Sequence, residues 1–317
     1  MNPTNDPTSA AIALQGVSRR YGDTVALRDV TFDVRRGEMF GLIGPDGAGK
    51  TTAIRVMCGL LHADAGTVRI AGRDPVREHR AVSERVGYFS QRFSLYGDLS
   101  IDENIAFFAE IHGVRAYGDR RERLLDMTRL APFRNRRADR LSGGMKQKLA
   151  LACTLVHEPE VILLDEPTTG VDPVSRREFW KLLSEFLAEG LTILMATPYL
   201  DEAERCARVA LLHEGQLLAL DTPRELQRSF AGELYEIVAA PRQRAFDALG
   251  AVPGVVGRQT FGERLHVRVA SGVSPERVEQ EMRSALARAG IEGASVRTVA
   301  PSLEDVFIDR IGSARGF

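Results

Sequence analysis

The chain has 317 residues, 44% of them apolar, with 42 basic residues against 43 acidic ones and a net charge of −1. That length leads us to expect about two domains, and the near-neutral balance excludes a polyanion or nucleic-acid binder driven by bulk positive charge. The composition also excludes a disordered, collagenous or disulfide-stapled chain.

No window approaches the long apolar run that a membrane span needs. The opening MNPTNDPTSA lacks the basic and apolar regions of a secretory signal, so a cytoplasmic chain is expected. Cys58, Cys153 and Cys206 are odd in number and widely spaced. They are expected to be buried thiols rather than a disulfide or zinc set.

In chain order, strands are predicted at 11–16, 31–34 and 38–43, then a glycine loop and a helix over 50–59. Short strands follow at 67–71 and 86–89, and a helical stretch over 101–130. A further helix opens at Ser142 and runs to about His157, giving a helical subdomain over about 92–158. Strand and helix then alternate: strand 161–164, helix 173–187, strand 191–196, helix 198–206, strand 209–212. Such alternation argues for an α/β fold with a largely parallel sheet. Past Leu226 the pattern becomes strand, helix, two strands, helix, strand, ending with a strand over 294–299. That order predicts a small ferredoxin-like α+β domain over 232–317, after a first domain over 1–231.

Gly44-Pro45-Asp46-Gly47-Ala48-Gly49-Lys50-Thr51 fits a phosphate-binding loop at every required position, with Thr52 behind it. It follows a strand and opens a helix, the context in which such a loop works. Its glycines let backbone N–H groups wrap phosphates, and the helix end adds a positive dipole. Lys50 is expected to reach the β- and γ-phosphates of ATP, and Thr51 to hold Mg²⁺. Val161-Ile162-Leu163-Leu164 runs into Asp165 and Glu166. A buried strand ending in a carboxylate is where a P-loop enzyme holds its metal, so Asp165 takes that role. Glu166 is then the candidate general base. Ser142 caps a helix that begins with Gly143-Gly144, a second helix end bare enough for phosphate.

These runs together, with LSGGMKQ as the helix start, resemble the ATP-binding subunits of ABC transporters over about residues 11–230. The resemblance implies a P-loop NTPase fold, a mixed sheet with a helical subdomain. It implies that two such chains close on ATP, the signature Ser142, Gly143 and Gly144 completing the partner's site. Tyr21 resembles the residue that stacks on adenine. Gln91 resembles the glutamine that touches Mg²⁺ and the attacking water. Asp172, in Gly170-Val171-Asp172, resembles the carboxylate that signals across the dimer. The C-terminal part resembles the extension of type-two exporters, and GPDGAGKTT and ATPYLDEAERC are similar to the YbhF-like group linked to drug export. The implied partners are membrane permease subunits and a second ATP-binding subunit, with the chain peripheral on the inner membrane face.

One position departs from the family pattern. Pro198 stands where a histidine is usual. Proline suits the first turn of the expected helix, with Thr197 as its cap, but it removes a donor to the γ-phosphate. The departure leaves open an ATP-dependent dimerising subunit with little hydrolysis of its own.

Overall fold

The computed structural model describes residues 10–91 and 95–314, and divides into two compact units, Met1–Pro223 and Arg224–Phe317. The division falls before the expected boundary at 231/232.

The first unit opens with a long hairpin, β1 (Ala10–Tyr21) and β2 (Thr24–Arg35), turned by Gly22-Asp23. β4 (Ala65–Ile70) pairs with β1, giving a three-stranded antiparallel sheet in the order β2-β1-β4. The main sheet has six strands in the order β5-β6-β7-β3-β8-β9. These are β3 (Met39–Ile43), β5 (Val86–Phe89), β6 (Val161–Asp165), β7 (Thr192–Thr197), β8 (Arg208–His213) and β9 (Gln216–Asp221). All neighbours are parallel except β8 and β9. Every residue of β3, β6 and β7 is buried, as strands covered on both faces must be. Their C-terminal ends therefore emerge together from an apolar slab. That edge is where α/β sheets bind ligands.

The helices of this unit are α1 (Lys50–Met57), α2 (His79–Ser83), α3 (Ile101–Ile111), α4 (Gly118–Thr128), α5 (Gly143–Leu155), α6 (Pro173–Ala188) and α7 (Leu200–Ala203). The helical stretch expected over 101–130 is two helices. α3 starts in a full capping box between Ser100 and Glu103, and α4 ends at Arg129 in a left-handed conformation. From Leu149 to Leu155 every residue of α5 is buried, so its second half lies inside the unit.

Two further expectations are corrected. The helix expected over 198–206 is the single turn α7, with Tyr199 rather than Thr197 before it. Thr197 instead accepts from the Tyr199 N–H at 3.1 Å, a hydroxyl turn that delays the helix by two residues. Among the cysteines, Cys153 and Cys206 are buried, but Cys58 is partly exposed.

The second unit begins with α8 (Pro223–Arg228), whose first residue belongs to the first unit by contact. β10 (Glu233–Val238), α9 (Arg242–Leu249), β11 (Val255–Phe261), β12 (Arg264–Val269), α10 (Pro275–Arg288) and β13 (Ser295–Val299) follow. The four strands form an antiparallel sheet in the order β11-β12-β10-β13. Its own core includes Tyr235, Ile237, Leu249, Val267, Val278, Met282 and Leu286. α11 (Leu303–Ala314) closes the chain and was not anticipated as a helix.

Candidate functional site

The glycine loop joins β3 to α1, and its shape follows from its glycines. Gly47 has φ 79° and Gly49 φ 107°, values an L side chain rarely adopts. A Cβ on Gly49 would sit 2.4 Å from the Ala26 carbonyl oxygen, and one on Gly44 would sit 2.2 Å from that of Leu212. Gly47 faces open space, and Pro45 and Asp46 are exposed beside it, while Ala48 is buried beneath. No side chain caps α1, and its first turn carries no acid. The free N–H groups and the helix dipole are therefore available to an anion.

Lys50 is 4% exposed. Its ammonium donates to the carbonyls of Gly44 at 2.8 Å and Pro45 at 3.1 Å, and pairs with Glu166 Oε1 at 3.1 Å. All three of its donors are thus engaged within the loop and at the end of β6. The other oxygen of Glu166 accepts from Gln91 Nε2 at 2.9 Å. The backbone of Glu166 is itself unusual, with φ 51°. Its N–H donates to the Ala196 carbonyl on β7 at 2.9 Å.

Thr51 Oγ1 donates to Asp165 Oδ1 at 3.1 Å, and Asp165 Oδ2 is buried with no hydrogen-bond partner. Burial pushes the Asp165 carboxyl up from its ordinary range, and the nearby Glu166 charge adds to this, while the Thr51 hydroxyl opposes it. An orphaned carboxylate oxygen beside a hydroxyl suits a small hard cation, which takes oxygen ligands. Thr51, Asp165 and the amide oxygen of Gln91 are a donor set that fits Mg²⁺. The structure therefore gathers Lys50, Thr51, Asp165, Glu166 and Gln91 at the C-terminal ends of β3, β5 and β6. Thr52, partly exposed, follows on α1.

The remaining sequence-predicted residues lie in other groups. Ser142 accepts from the Met145 N–H at 3.3 Å and so caps α5, with Ser142 and Gly143 exposed. Gly144 is buried against α6, where a Cβ would sit 2.2 Å from Ser175 Oγ. Asp172 caps α6 by accepting from Val174 and Ser175 N–H groups at 3.1 and 3.0 Å. Hydrogen bonds from Ser175, side chain first and backbone second, hold its carboxyl below the usual range. Ser142, Gly143 and Asp172 thus form a second exposed group around the starts of α5 and α6, with Gly144 buried beneath it. Tyr21 is 44% exposed at the hairpin end, with the Arg19 guanidinium 5.3 Å from its ring centre.

A family profile described as "ABC transporter" matches residues 27–169. Over 310 residues the chain is 36% identical to a daunorubicin resistance ATP-binding protein of Streptomyces coeruleorubidus, covering 96% of this chain and 97% of that one. The chain belongs to the ABC transporter ATP-binding protein family. It is also 39% identical over 312 residues to the probable multidrug ABC transporter ATP-binding protein YbhF of Escherichia coli K12, covering 96% of this chain. It spans only 53% of the length of that relative. A solved dimeric bacterial ABC transporter cassette superposes with a TM-score of 0.59 at 27% identity, over 67% of this chain and 98% of that one. The fold is thus that of the P-loop ATPase cassettes. Among the described residues, no helix is long and apolar enough to cross a membrane.

Sequence reasoning missed Thr168, Thr197 and Glu202, which meet beneath the site. Glu202 is 1% exposed and accepts from both threonine hydroxyls. Glu202 stands between Asp201 and Glu204 in a short acidic stretch, and nothing in the sequence marks it as the buried one.

Proposed function

We propose that this chain is an ATP-binding and ATP-hydrolysing subunit that powers a membrane ABC exporter of drugs or other small hydrophobic compounds. The observation that carries the reading is the convergence of Lys50, Thr51, Asp165, Glu166 and Gln91 at one sheet edge. ATP phosphates enter the glycine loop and draw the Lys50 ammonium away from Glu166. The freed carboxylate, oriented by Gln91, accepts the proton of an attacking water. Bound Mg²⁺ would supply charge neutralisation on the phosphates from Thr51 and Asp165. The substrate class is supported by the relatives' names, one a probable multidrug ABC transporter ATP-binding protein and the other a daunorubicin resistance ATP-binding protein.

The exposed Ser142 and Gly143, on elements other than the Lys50 cluster, suit a composite site. In it a second ATP-binding subunit presents its α5 start to this chain's nucleotide, and the reverse. Tyr21 is proposed to stack on adenine, a reading supported by its exposure at the hairpin end. The chain would then be peripheral at a membrane through permease subunits. Steady-state ATPase activity of the chain alone and with its permease tests the whole reading. ATP binding with no turnover in either state overturns it.

Pro198 is the observation that favours a slower subunit. It lies partly exposed after β7 and offers no donor. Pro198→His is expected to raise intrinsic turnover, by up to about 10², the worth of one transition-state donor elsewhere. An unchanged rate in a pure homodimer would show that another group already contacts the γ-phosphate. A gain seen only in the homodimer would point to a second chain carrying the donor in the working complex.

The C-terminal part, residues 232–317, is proposed as a ferredoxin-like module for dimer contact or regulation. Its self-contained core supports this. A chain ending at Thr222 should stay soluble and bind ATP, with altered dimerisation by light scattering. A truncated chain that cannot fold would show the second unit to be a structural cap.

A further inference from the structure

A buried carboxylate lies behind the site and is used by none of the steps above. Glu202 Oε1 accepts from Thr168 Oγ1 at 2.5 Å and, more weakly, from Trp180 Nε1 at 3.4 Å. Its Oε2 accepts from Thr197 Oγ1 at 2.6 Å. Thr168 and Thr197 are each 1% exposed and Trp180 3%. The nearest cation is Arg176, whose Nε is 3.9 Å from Oε1 and whose guanidinium lies over the Tyr199 ring at 4.8 Å.

Burying a carboxylate is costly, and an apolar side chain of like size would serve stability as well or better. What the carboxylate does that an apolar group cannot is join two particular hydroxyls. Thr168 is two residues beyond Glu166, in the loop that leaves β6. Thr197 is the last residue of β7, and its carbonyl accepts from the Gly44 N–H at 3.4 Å. Ala196 beside it accepts from the Glu166 N–H. Glu202 thereby clamps the loop after Glu166 onto the strand end that also meets the phosphate loop.

That clamp has a strained residue to hold. Glu166 at φ 51° is a non-glycine residue in the left-handed region, a strained state that persists only where surroundings impose it. Its N–H bond to Ala196 fixes one side and the Thr168 anchor fixes the other. Pro198 has no backbone N–H and no side-chain donor to offer beyond β7, so order at the end of β7 rests on Thr197 and its bonds to Glu202 and Tyr199.

We propose that Glu202 is a positioning residue for turnover, holding Glu166 in its working backbone conformation through Thr168 and Thr197. The inference rests on the ATPase reading above. It predicts a split between chemistry and binding, because the phosphate loop's own contacts with ATP do not pass through Glu202. Glu202→Gln keeps size and one acceptor but loses the second. It should lower kcat by about 10-fold to 100-fold, the scale of a small misplacement of a reacting group. The Kd for Mg-ATP should stay unchanged.

Thr168→Val should reproduce the loss, Thr168→Ser should restore most of the rate, and the Glu202→Gln, Thr168→Val double variant should lose no more than either alone. The measurement uses the full chain with its permease, by steady-state ATPase and calorimetric ATP binding. Folded Glu202→Gln with parent kcat overturns this inference alone. So does a joint fall of kcat and affinity, which marks general loosening. If Glu202→Gln does not fold, the valine and serine variants at Thr168 decide by the same split. A parent that binds ATP without turnover overturns the ATPase reading and this inference with it.

Discussion

Glu166→Gln is expected to stop turnover while leaving ATP binding intact. The carboxylate is 8% exposed and held between Lys50 at 3.1 Å and Gln91 at 2.9 Å. An amide cannot accept the water's proton at neutral pH, and loss of a general base costs about 10²–10⁴ in rate. Binding should not suffer. The amide no longer pairs with the Lys50 ammonium, so Lys50 is easier to move onto phosphate and ATP affinity should hold or rise. The trapped chain should then run as an ATP-bound dimer on size exclusion. Parent-rate hydrolysis by the variant would show that another group is the base.

The catalytic edge was legible because its chemistry is written in contiguous runs. GPDGAGKT and VILLDE each carry both a fold signal and a chemical one. A buried strand must end somewhere, and the polar residues that follow it mark the exit. The network around Glu202 was illegible for the opposite reason. Thr168, Trp180, Thr197 and Glu202 come from the loop after β6, from α6, from β7 and from α7, and only the packing of these pieces brings them together. Thr197 read as a helix cap because proline follows it, yet its hydroxyl was claimed by the Tyr199 N–H and by Glu202. Local preference lost to a tertiary partner.

Two missed elements had usable signals. β9 follows β8 through Glu214-Gly215, with φ 47° and 76°, a two-residue turn of the hairpin kind. His-Glu-Gly-Gln before an apolar run was the cue. α11 opens on a capping box. The Ser302 N–H donates to Asp305 Oδ2 at 2.8 Å, and the Asp305 N–H donates to Ser302 Oγ at 3.2 Å. Ser302-Leu303-Glu304-Asp305 has the required spacing in the bare sequence. The missed half of the β1–β2 hairpin is different. Ser18, Arg19 and Arg20 lie outside the strand expected over 11–16. They are strand residues whose partners include Asp64, which takes both the Arg19 guanidinium and the Arg20 N–H at 2.7 Å.

Lys50→Met should abolish high-affinity ATP binding with the fold retained. The Lys50 ammonium is the one cation gathered with the glycine loop among the described site residues, and at 4% exposure it acts with little screening. Each charged hydrogen bond to phosphate is worth about 1.5–3 kcal/mol, so losing two costs about 10²–10⁴ in Kd before offsets. The offset is real. In the structure described, Lys50 must give up Glu166 and two carbonyls to reach a phosphate, which argues for the lower end of that range. Methionine keeps the buried stem, so packing beneath the loop is preserved. It leaves Glu166 without its cation in a buried setting, and breaking such a pair destabilises by up to about 3–5 kcal/mol. The Gln91 amide, still bonded to Glu166, and access of water to the neighbouring exposed loop reduce that figure. Lys50→Arg should not rescue binding, because a planar guanidinium has a different shape from the compact ammonium the loop encloses. Calorimetry with Mg-ATP and a thermal melt without nucleotide separate the two effects. Parent affinity in a folded Lys50→Met protein would remove the phosphate-loop assignment, and with it the account of how ATP frees Glu166.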